Sequence, residues 1–461
     1  MFSSIKKLHF VGIGGIGMSG IAEILLDQGF AISGSDRAMS DVTERLQSLG
    51  ATIYEGHRAE NIAADVDTLV YSSAVINDNP EVQEAIRRKI PIVRRAEMLA
   101  EVMRLKYGIG IAGTHGKTTT TSMTSLVLME GGLDPTVIVG GKLSGLGGTN
   151  ARLGKGEFIV VEADEFDRSF LSLTPAIAVM TTLETDHLDC YRDLEDIKGA
   201  FIQFANKVPF YGFIVLNLDE PALQDILPQL SKKKIITYGL HSPQADVQAV
   251  DIHHRENATT FTVLQENTEL GSITLQIPGK HNVQNALAAI AVGLKLGVPF
   301  EKVKAGIERF TGVYRRWEKK GEANGVIVYD DYAHHPTECR ATLSGVKSGW
   351  RKRVVCVFQP HLFSRTRDFY EEFGKAFLFA DVLVVTDVYP AREEPIQGIT
   401  GELIVNAAKQ YGHKEAHYVQ DKKQVPQFLR SITKPGDIVV TMGAGDIWKF
   451  GEQFLKESNT K

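Results

Sequence analysis

The stretch that decides the fold is Gly113-Thr114-His115-Gly116-Lys117-Thr118-Thr119-Thr120, which directly follows the apolar run Tyr107–Ala112. An apolar strand followed by such a turn predicts a phosphate-binding loop at a helix start, because glycines let backbone N–H groups approach phosphate oxygens. In this pattern Lys117 faces the terminal phosphates, and the Thr118 hydroxyl is a ligand for Mg²⁺. The form is short, since Ile111 stands where the longer signature has its first glycine. The stretch predicts ATP chemistry; a helix start with a solvated lysine is the simpler alternative.

Length and composition describe a protein of several globular domains. With 461 residues the chain is too long for one ordinary core, and we expect about three domains. A net charge of -5 excludes general attraction to nucleic acid, so an anionic substrate must be held by local basic groups. The three cysteines lack metal-ligand spacing, which favours a reducing compartment. Because no apolar run has the length of a membrane helix, we expect a cytoplasmic protein that binds neither membrane nor nucleic acid.

A second glycine-rich loop stands near the N-terminus. The predicted strand 8–11 leads into Gly12-Ile13-Gly14-Gly15-Ile16-Gly17, and a helical pattern covers 18–28. The glycine spacing matches the dinucleotide-binding fingerprint, and Asp36 stands where that motif places its ribose-binding acid. The fingerprint indicates a diphosphate site, and the diphosphate of a UDP-sugar suits it as well as that of NAD.

Acidic residues follow a buried strand in the middle of the chain. The predicted strand 158–161 ends in Glu162 and further acids, which is where Mg²⁺ on a triphosphate needs ligands. A strand over 176–182 leads to His187, a candidate ligand for a second metal ion. His281 and Asn285 lie four residues apart at the start of a helix, so both could face one pocket. A solvated acidic loop and a simple helix cap are the respective alternatives.

The last third of the chain repeats the alternation of strands and helices. The sequence predicts strands over 326–329, 354–358, 382–386 and 438–442, followed by polar clusters at 330–336, 359–366, 387–392 and 443–446. In open α/β sheets ligands bind beyond the carboxyl ends of the strands, so these clusters should line one rim. Any single cluster could instead be a capped loop.

In the identity and order of these motifs the chain resembles the Mur ligases of bacterial cell-wall synthesis. The matching segments are 9–20, 113–120, 162–167, 278–285, 330–336, 359–366 and 443–446. The resemblance implies an α/β, three-domain architecture. It implies a Rossmann-like N-terminal domain for the UDP-sugar over 1–106, a P-loop ATPase domain over 107–312, and a Rossmann-like C-terminal domain over 313–461 that closes over the site and binds the amino acid.

The resemblance also implies a reaction. Within the family the motifs are most similar to the branch that adds L-alanine to the lactyl carboxylate of UDP-N-acetylmuramate. That reaction consumes ATP, passes through an acyl phosphate, and serves peptidoglycan synthesis and hence cell shape and division. The cofactor that it implies is Mg²⁺, with two ions expected.

Site residues carry over from the matching motifs. For ATP they are Gly113, Thr114, His115, Gly116, Lys117, Thr118, Thr119, His281, Asn285, Arg316 and Asp330. For the UDP-sugar they are Gly14, Gly15, Ile16, Gly17, Asp36 and Ser72. The implied metal ligands are Thr118, Glu162 and His187, and the implied catalytic residues are Lys117, His187, His334, His361 and Arg365. Some sister ligases carry a carbamylated lysine near the second metal ion, but Lys198 is better interpreted as a surface helix lysine.

Three other functions remain open at this point. A recycling ligase of the same fold would join a whole peptide to the same sugar nucleotide, although segment 359–366 favours free alanine. An NAD-dependent dehydrogenase would explain the N-terminal glycines and Asp36 but would leave Lys117 without a role. A structural ATPase that moves a partner would hydrolyse ATP without either co-substrate.

Overall fold

The computed structural model of the protein describes residues 5–459 apart from 73, 74, 76, 77, 144–148, 186–189, 231 and 392. The chain forms two compact units. The first unit comprises residues 1–250, 262–273 and 284–310, and the second unit comprises 251–261, 274–283 and 311–461. Three sheets flanked by helices run through the chain, which confirms the predicted α/β class. The domain boundaries at 106 and 312 stay a prediction.

The N-terminal sheet is parallel throughout and has the strand order β3-β2-β1-β4-β5. Its strands are β1 (Lys7–Val11), β2 (Ala31–Asp36), β3 (Thr52–Glu55), β4 (Thr68–Tyr71) and β5 (Ile92–Arg94). Its helices are α1 (Ile16–Asp27), α2 (Asp41–Ser48), α3 (Pro80–Arg88) and α4 (Arg95–Met103). Strands are added on one side of β1 up to β3 and on its other side from β4 onward. Between β1 and β4, where this order reverses, α/β sheets have a crevice that binds ligands. The glycine loop follows β1, and Ser72 follows β4.

The central sheet has ten strands in the order β15-β14-β13-β12-β11-β10-β6-β9-β7-β8. The strands are β6 (Tyr107–Ala112), β7 (Thr136–Leu143), β8 (Thr149–Arg152), β9 (Phe158–Glu162), β10 (Ile177–Met180), β11 (Phe213–Asn217), β12 (Ile235–Gly239), β13 (Val247–Arg255), β14 (Ala258–Gln265) and β15 (Thr268–Leu275). The helices are α5 (Lys117–Glu130), α6 (Leu194–Asn206), α7 (Pro221–Ile226), α8 (Lys280–Lys295) and α9 (Phe300–Glu308).

The C-terminal sheet has the order β16-β17-β21-β18-β19-β20, and only β16 pairs in antiparallel fashion. The strands are β16 (Glu318–Ala323), β17 (Val326–Asp331), β18 (Val354–Phe358), β19 (Val382–Val385), β20 (Ala416–Tyr418) and β21 (Ile438–Met442). The helices are α10 (Pro336–Gly349), α11 (Phe363–Ala376), α12 (Glu402–Gln410), α13 (Val425–Ile432) and α14 (Trp448–Asn459). Across the described ranges, no helix combines the length and the apolar character that a membrane crossing requires.

Helix α5, which carries the phosphate loop at its start, is buried along most of its length despite its many hydroxyl residues. The hydroxyl groups turn back onto the helix: Ser122 Oγ donates to the Thr118 carbonyl at 2.6 Å, and Ser125 Oγ donates to the Thr121 carbonyl at 2.7 Å. Such bonds satisfy buried hydroxyls without any outside partner. The helix can therefore lie inside the unit, where its position is fixed by packing.

Helix α1, which follows the N-terminal glycine loop, packs against the hairpin of β7 and β8. A Cβ atom at Gly20 would lie 3.3 Å from the Ala151 Cβ, so a glycine allows the close approach. Asn150 Nδ2 donates to the Ser19 hydroxyl at 3.3 Å and also to the Ile16 carbonyl. The two glycine-rich loops are thus held within one unit by direct packing.

A buried carboxylate anchors helix α3 to the N-terminal sheet. Glu81 is 0% exposed and accepts hydrogen bonds from the Ser35 hydroxyl at 2.5 Å and from Asn61 Nδ2 at 2.6 Å. His57 Nδ1 lies 3.3 Å and His9 Nε2 3.6 Å from its oxygens. Burial opposes the charge, but the hydrogen bonds outweigh it and hold the pKa of Glu81 below its usual value. This network fixes the start of α3 against the sheet.

We expect Glu81→Ala to lower the free energy of unfolding of the first unit by about 3 kcal/mol, because buried Ser35 and Asn61 lose their acceptor. The matched control is Glu84→Ala on the same helix, where an ion pair with Arg87 is largely exposed and a change within about 0.5 kcal/mol is expected. The measurement is chemical denaturation followed by far-ultraviolet circular dichroism.

Tryptophan fluorescence supplies an internal reference for that experiment. The three tryptophans, Trp317, Trp350 and Trp448, belong to the second unit. Their transition should be the same in both variants and in the unmodified protein. Equal destabilisation by Glu81→Ala and Glu84→Ala would contradict the structural role of the buried network.

Candidate active site

The phosphate loop joins β6 to α5 and is held in shape by β10. Gly113 and Gly116 adopt positive φ angles of 148° and 80°, which glycine takes without strain. A Cβ atom at Gly113 would lie 1.9 Å from Thr181 Oγ1, so no larger residue fits there. The His115 amide donates to Thr182 Oγ1 at 2.8 Å. The loop is therefore preformed for phosphate by contacts at the end of a neighbouring strand.

Lys117 is held inside this loop. Its Nζ donates to the Gly113 carbonyl at 2.7 Å and to the Thr114 carbonyl at 3.2 Å, and it pairs with Glu165 at 2.8 Å. Burial opposes the ammonium charge, but Glu165 and Asp164 outweigh it and raise the pKa of Lys117 above its usual value. Lys117 is thus a fixed positive charge at the phosphate loop. Glu165 had no role in the sequence analysis; the run of acids after β9 was the only signal.

Thr118 and Glu162, the two predicted ligands of the first metal ion, lie side by side. Thr118 Oγ1 donates to Glu162 Oε1 at 3.0 Å, and the Gly140 amide donates to Glu162 Oε2 at 2.8 Å. A hydroxyl and a carboxylate oxygen are ligands that Mg²⁺ accepts, so this donor pair fits the ion. The third predicted ligand, His187, lies outside the described residues.

Asn285 and His115 also contact the phosphate loop or belong to it. Thr120 Oγ1 donates to Asn285 Oδ1 at 3.3 Å, and a Cβ atom at Gly116 would lie 2.3 Å from that same oxygen. His115 Nε2 pairs with a carboxylate oxygen of Glu184. Both residues therefore help to shape the loop, and their contacts with ATP stay predictions. Thr119, also predicted for ATP, is buried in the first turn of α5.

The N-terminal glycine loop and Glu162 border one cavity. The cavity has a volume of about 260 Å³, and its lining includes Gly15, Ile16, Gly17 and Ser72 together with Glu162 and Asp164. The structure thus brings the predicted UDP-sugar residues and a predicted metal ligand to the same space. A ligand that spans this cavity would reach from the glycine loop to the Glu162 carboxylate.

Asp36 holds the glycine loop in place through a hydrogen bond to its backbone. Its Oδ2 accepts from the Gly14 amide at 2.8 Å, and its Oδ1 accepts from the Arg37 amide at 2.8 Å. The structure gives this acid a positioning role that the fingerprint did not predict. Its contact with a ribose stays a prediction.

In the second unit the polar clusters that follow the strands converge on one rim, as predicted. The ring centroids of His334 and His361 lie 5.9 Å apart, and His361 stacks on Tyr389 at 5.8 Å. Gln359 Nε2 donates to Asp446 Oδ1 at 3.4 Å. Residues from β17, β18, β19 and β21 therefore meet at the carboxyl edge of the sheet.

Glu338 in the first turn of α10 organises two of the predicted site residues. Its Oε1 accepts from Arg316 Nη1 at 3.2 Å, and its Oε2 accepts from the His334 amide at 3.0 Å. Burial lowers the pKa of His334 to about 3, with Glu338 opposing the shift and Arg365 assisting it. His334 is thus a neutral ring near pH 7. Glu338 was missed at the sequence level because its contacts lie in a helix turn that looks like an ordinary cap.

His281, in the second unit, is also a neutral ring. Burial lowers its pKa to about 4, and the positive charge of Arg316 acts in the same direction. A Cβ atom at Gly279 would lie 2.6 Å from the His281 ring, so the preceding glycine leaves space for it. Its contact with ATP stays a prediction.

Asp330 lies in a predicted cluster, but its carboxylate serves the interior of the unit. It is 0% exposed, pairs with Arg315 Nε at 2.8 Å and accepts from Thr441 Oγ1 at 2.7 Å. Arg315 in turn donates to the Gly443 carbonyl at 2.6 Å. The structure therefore supports a role for Asp330 in holding the rim together and gives no support to its predicted contact with ATP.

Lys198 lies on α6 and is paired with two acids. Its Nζ lies 2.8 Å from both Glu195 Oε1 and Asp225 Oδ2. These pairs agree with the interpretation of Lys198 as a helix-surface lysine.

Three family models match the chain in order. The "Mur ligase family, catalytic domain" matches residues 7–107, the "Mur ligase middle domain" matches 111–293, and the "Mur ligase, glutamate ligase domain" matches 315–445. Together they cover the glycine loop, the phosphate loop and the rim of the C-terminal sheet.

Curated relatives and solved structures agree with these matches. A UDP-N-acetylmuramate--L-alanine ligase from Geotalea uraniireducens is 55% identical over 457 residues, which cover 99% of this chain and 99% of the relative. The structure of a UDP-N-acetylmuramate-alanine ligase from Thermotoga maritima superposes with a TM-score of 0.82 at 30% identity, covering 98% of this chain and 99% of that chain. A murein peptide ligase from Psychrobacter arcticus gives a TM-score of 0.71 at 25% identity, with 99% of each chain covered.

The neutral state of His334 predicts a pH-dependent contribution to stability. The unfolded chain binds a proton at His334 below pH 6.5 or so, whereas the folded unit does not until about pH 3. Acidification from pH 7 to pH 5 should therefore cost the unmodified protein about 1 to 2 kcal/mol more than it costs His334→Gln. Urea denaturation followed by tryptophan fluorescence measures this difference in the second unit.

The control for that measurement is His253→Gln, because His253 is an exposed histidine in the same unit. Its stability should follow that of the unmodified protein at both pH values. If His334→Gln lost as much stability on acidification as the unmodified protein, the ring would not be held neutral by burial.

Proposed function

The chain belongs to the Mur ligase family, and we propose that it is the ADP-forming ligase that joins L-alanine to the lactyl carboxylate of UDP-N-acetylmuramate in peptidoglycan precursor synthesis. The observation that carries the proposal is the cavity that is lined both by the N-terminal glycine loop and by Glu162. Thr118 lies against Glu162 at the start of the phosphate-loop helix. The similarity to alanine ligases over nearly the full chain supports the choice of substrates.

The reaction needs ATP because a carboxylate is a poor acyl donor. An oxygen of the lactyl carboxylate attacks the γ-phosphorus, and ADP leaves, which gives an acyl phosphate. The amine of L-alanine then attacks the acyl carbon, loses a proton, and displaces inorganic phosphate as the amide bond forms. We assign the first step to the first unit, where the phosphate loop and the cavity lie.

Lys117 is the residue that we assign to charge stabilisation during phosphoryl transfer. Its ammonium group is already fixed by two loop carbonyls and by Glu165, so little rearrangement is needed before the reaction. Thr118 and Glu162 would hold Mg²⁺, which when bound neutralises phosphate charge. We propose a second Mg²⁺ ion with His187 among its ligands.

We assign the acyl phosphate and the amino acid to His334, His361 and Arg365, and the phosphates of ATP to Arg316. A ring with a pKa of about 3 is a poor base near neutral pH. His334 therefore serves as a neutral hydrogen-bonding group and does not take the proton of the alanine ammonium group. We propose a cytoplasmic location, with which the three free cysteines agree.

A ligase that accepts a whole peptide is the second candidate, because the murein peptide ligase of Psychrobacter arcticus shares the fold over the full chain. Competition between L-alanine and a muramoyl-type tripeptide for the same acyl donor separates the two. We expect free L-alanine to be incorporated and the tripeptide to compete weakly. Preferential use of the tripeptide would replace the proposed function with the recycling reaction.

Phosphate release with each component omitted in turn tests the proposal directly. The full mixture holds ATP, Mg²⁺, UDP-N-acetylmuramate and L-alanine, and we expect release to fall to background when any one is absent. Steady release without the sugar nucleotide or alanine would instead indicate a structural ATPase. Tight binding of NADH, with UDP-N-acetylmuramate ignored, would indicate a dehydrogenase.

We expect Lys117→Ala to reduce turnover by roughly 100-fold or more while the affinity for UDP-N-acetylmuramate stays within about twofold. The variant leaves Glu165 buried without its partner, so a double variant with Lys117→Met and Glu165→Gln removes both charges as a control for folding. Turnover is measured by phosphate release and affinity by calorimetry. Normal turnover in either variant would contradict the role of Lys117.

A further inference from the structure

We propose that Arg95 binds the diphosphate of the nucleotide-sugar substrate, an assignment that rests on the proposed function for the identity of the ligand. Arg95 is the first residue of α4 and belongs to none of the glycine-rich motifs. Its guanidinium group extends from α4 to the N-terminal glycine loop.

The contact between Arg95 and the glycine loop is direct. A Cβ atom at Gly17 would lie 2.9 Å from Arg95 Nη1 and 3.2 Å from Arg95 Cδ. Gly17 is the last glycine of the fingerprint, so the missing side chain at this position leaves room for the arginine. The positive charge therefore lies over the first turn of α1.

Arg95 differs from its neighbours, which have protein partners among the described residues. Arg94 Nε donates to the Tyr71 hydroxyl at 3.2 Å, and Arg168 Nη2 donates to Asp196 at 2.6 Å. Within the part of the chain that the structure describes, the Arg95 guanidinium makes neither a hydrogen bond nor an ion pair. Removing a charged group partly from water without a partner is costly, so this side chain is suited to an anionic ligand.

The first turn of α1 adds to the positive potential at the same place. The first N–H groups of a helix have no acceptor inside it and carry the positive end of the helix dipole. Helix α1 starts after Gly15, has no acidic residue in its first turn, and has no side-chain cap. An anion at this place could therefore bind both the planar guanidinium group of Arg95 and the backbone N–H groups of the first turn of α1.

The charged residues that line the two cavities next to Arg95 indicate which kind of anion fits there. Arg95 borders both the cavity of about 260 Å³ and a neighbouring cavity of about 380 Å³ that includes Tyr71 and Val75. The first cavity is basic at Arg95 and acidic at Glu162 and Asp164. UDP-N-acetylmuramate has the matching layout, with its diphosphate near Arg95 and its lactyl carboxylate near Glu162 and Asp164. Mg²⁺ held by Glu162 would offset the repulsion between these carboxylates. An arginine can hold two phosphate oxygens at once through its planar fork.

Binding of UDP and of uridine to the full-length protein tests this assignment, since the two ligands differ by the diphosphate. We expect Arg95→Gln to weaken UDP binding by about 10- to 100-fold and to leave uridine binding within about twofold. Arg95→Lys should fall in between, because a lysine keeps the charge but loses the fork. The matched control is Arg104→Gln at the end of the same helix, where the exposed arginine pairs with Glu101.

Kinetics give a second readout that a loss of folding would not produce. Arg95→Gln should raise the KM for UDP-N-acetylmuramate and leave the KM for ATP unchanged. Equal weakening of UDP and uridine would overturn the diphosphate assignment, as would UDP binding equal to that of the unmodified protein. If the unmodified protein bound no UDP-N-acetylmuramate at all, the proposed function and this assignment would fail together.

Discussion

The hydrogen bonds that align β6 with β9 and β10 are the constraint on which the active-site arrangement depends. The Ala163 amide donates to the Ile111 carbonyl at 2.8 Å, and the Thr181 amide donates to the Ala112 carbonyl at 3.0 Å. In this parallel register Ile111 lies opposite Glu162. A shift by one residue would turn every side chain of a strand to the other face of the sheet. Because of this register, the Glu162 carboxylate and the phosphate loop lie at the same edge of the sheet.

Strands with a strong local signal could be predicted from the sequence to the residue. The bounds of β6, β18 and β21 agree with the structure because each is an apolar run closed by a glycine or by a polar cluster. The predicted strand 176–182 is shorter in the structure, where β10 ends at Met180. The reason lies in the next two residues, since Thr181 and Thr182 use their hydroxyl groups on the phosphate loop. Beyond Met180 the side chains of the chain therefore contact the phosphate loop.

Two of the roles that the sequence could not predict involve partners that lie far apart in the chain. Lys117 and Glu165 are separated by 48 residues, and Asp36 and Gly14 by 22. A motif identifies the residue that meets the ligand, but it contains no information about the residue that holds it in place. Arg95 is a residue that we assign to the ligand but that no sequence motif identifies. It follows no motif of its own, and only the packing of α4 against the first turn of α1 brings its charge to Gly17.

In the second unit the Glu338 carboxylate binds two of the predicted site residues. Glu338 binds the Arg316 guanidinium with one oxygen and the His334 amide with the other, and both contacts start from the first turn of α10. Because both residues bond to the same carboxylate, a displacement of either residue must move the Glu338 side chain or break its bond. The residue that we assign to the phosphates of ATP and the residue that we assign to the acyl phosphate are thereby kept in a fixed relation. Such a shared anchor suits an enzyme whose two chemical steps use the same phosphoryl group, first as it is transferred and then as it leaves.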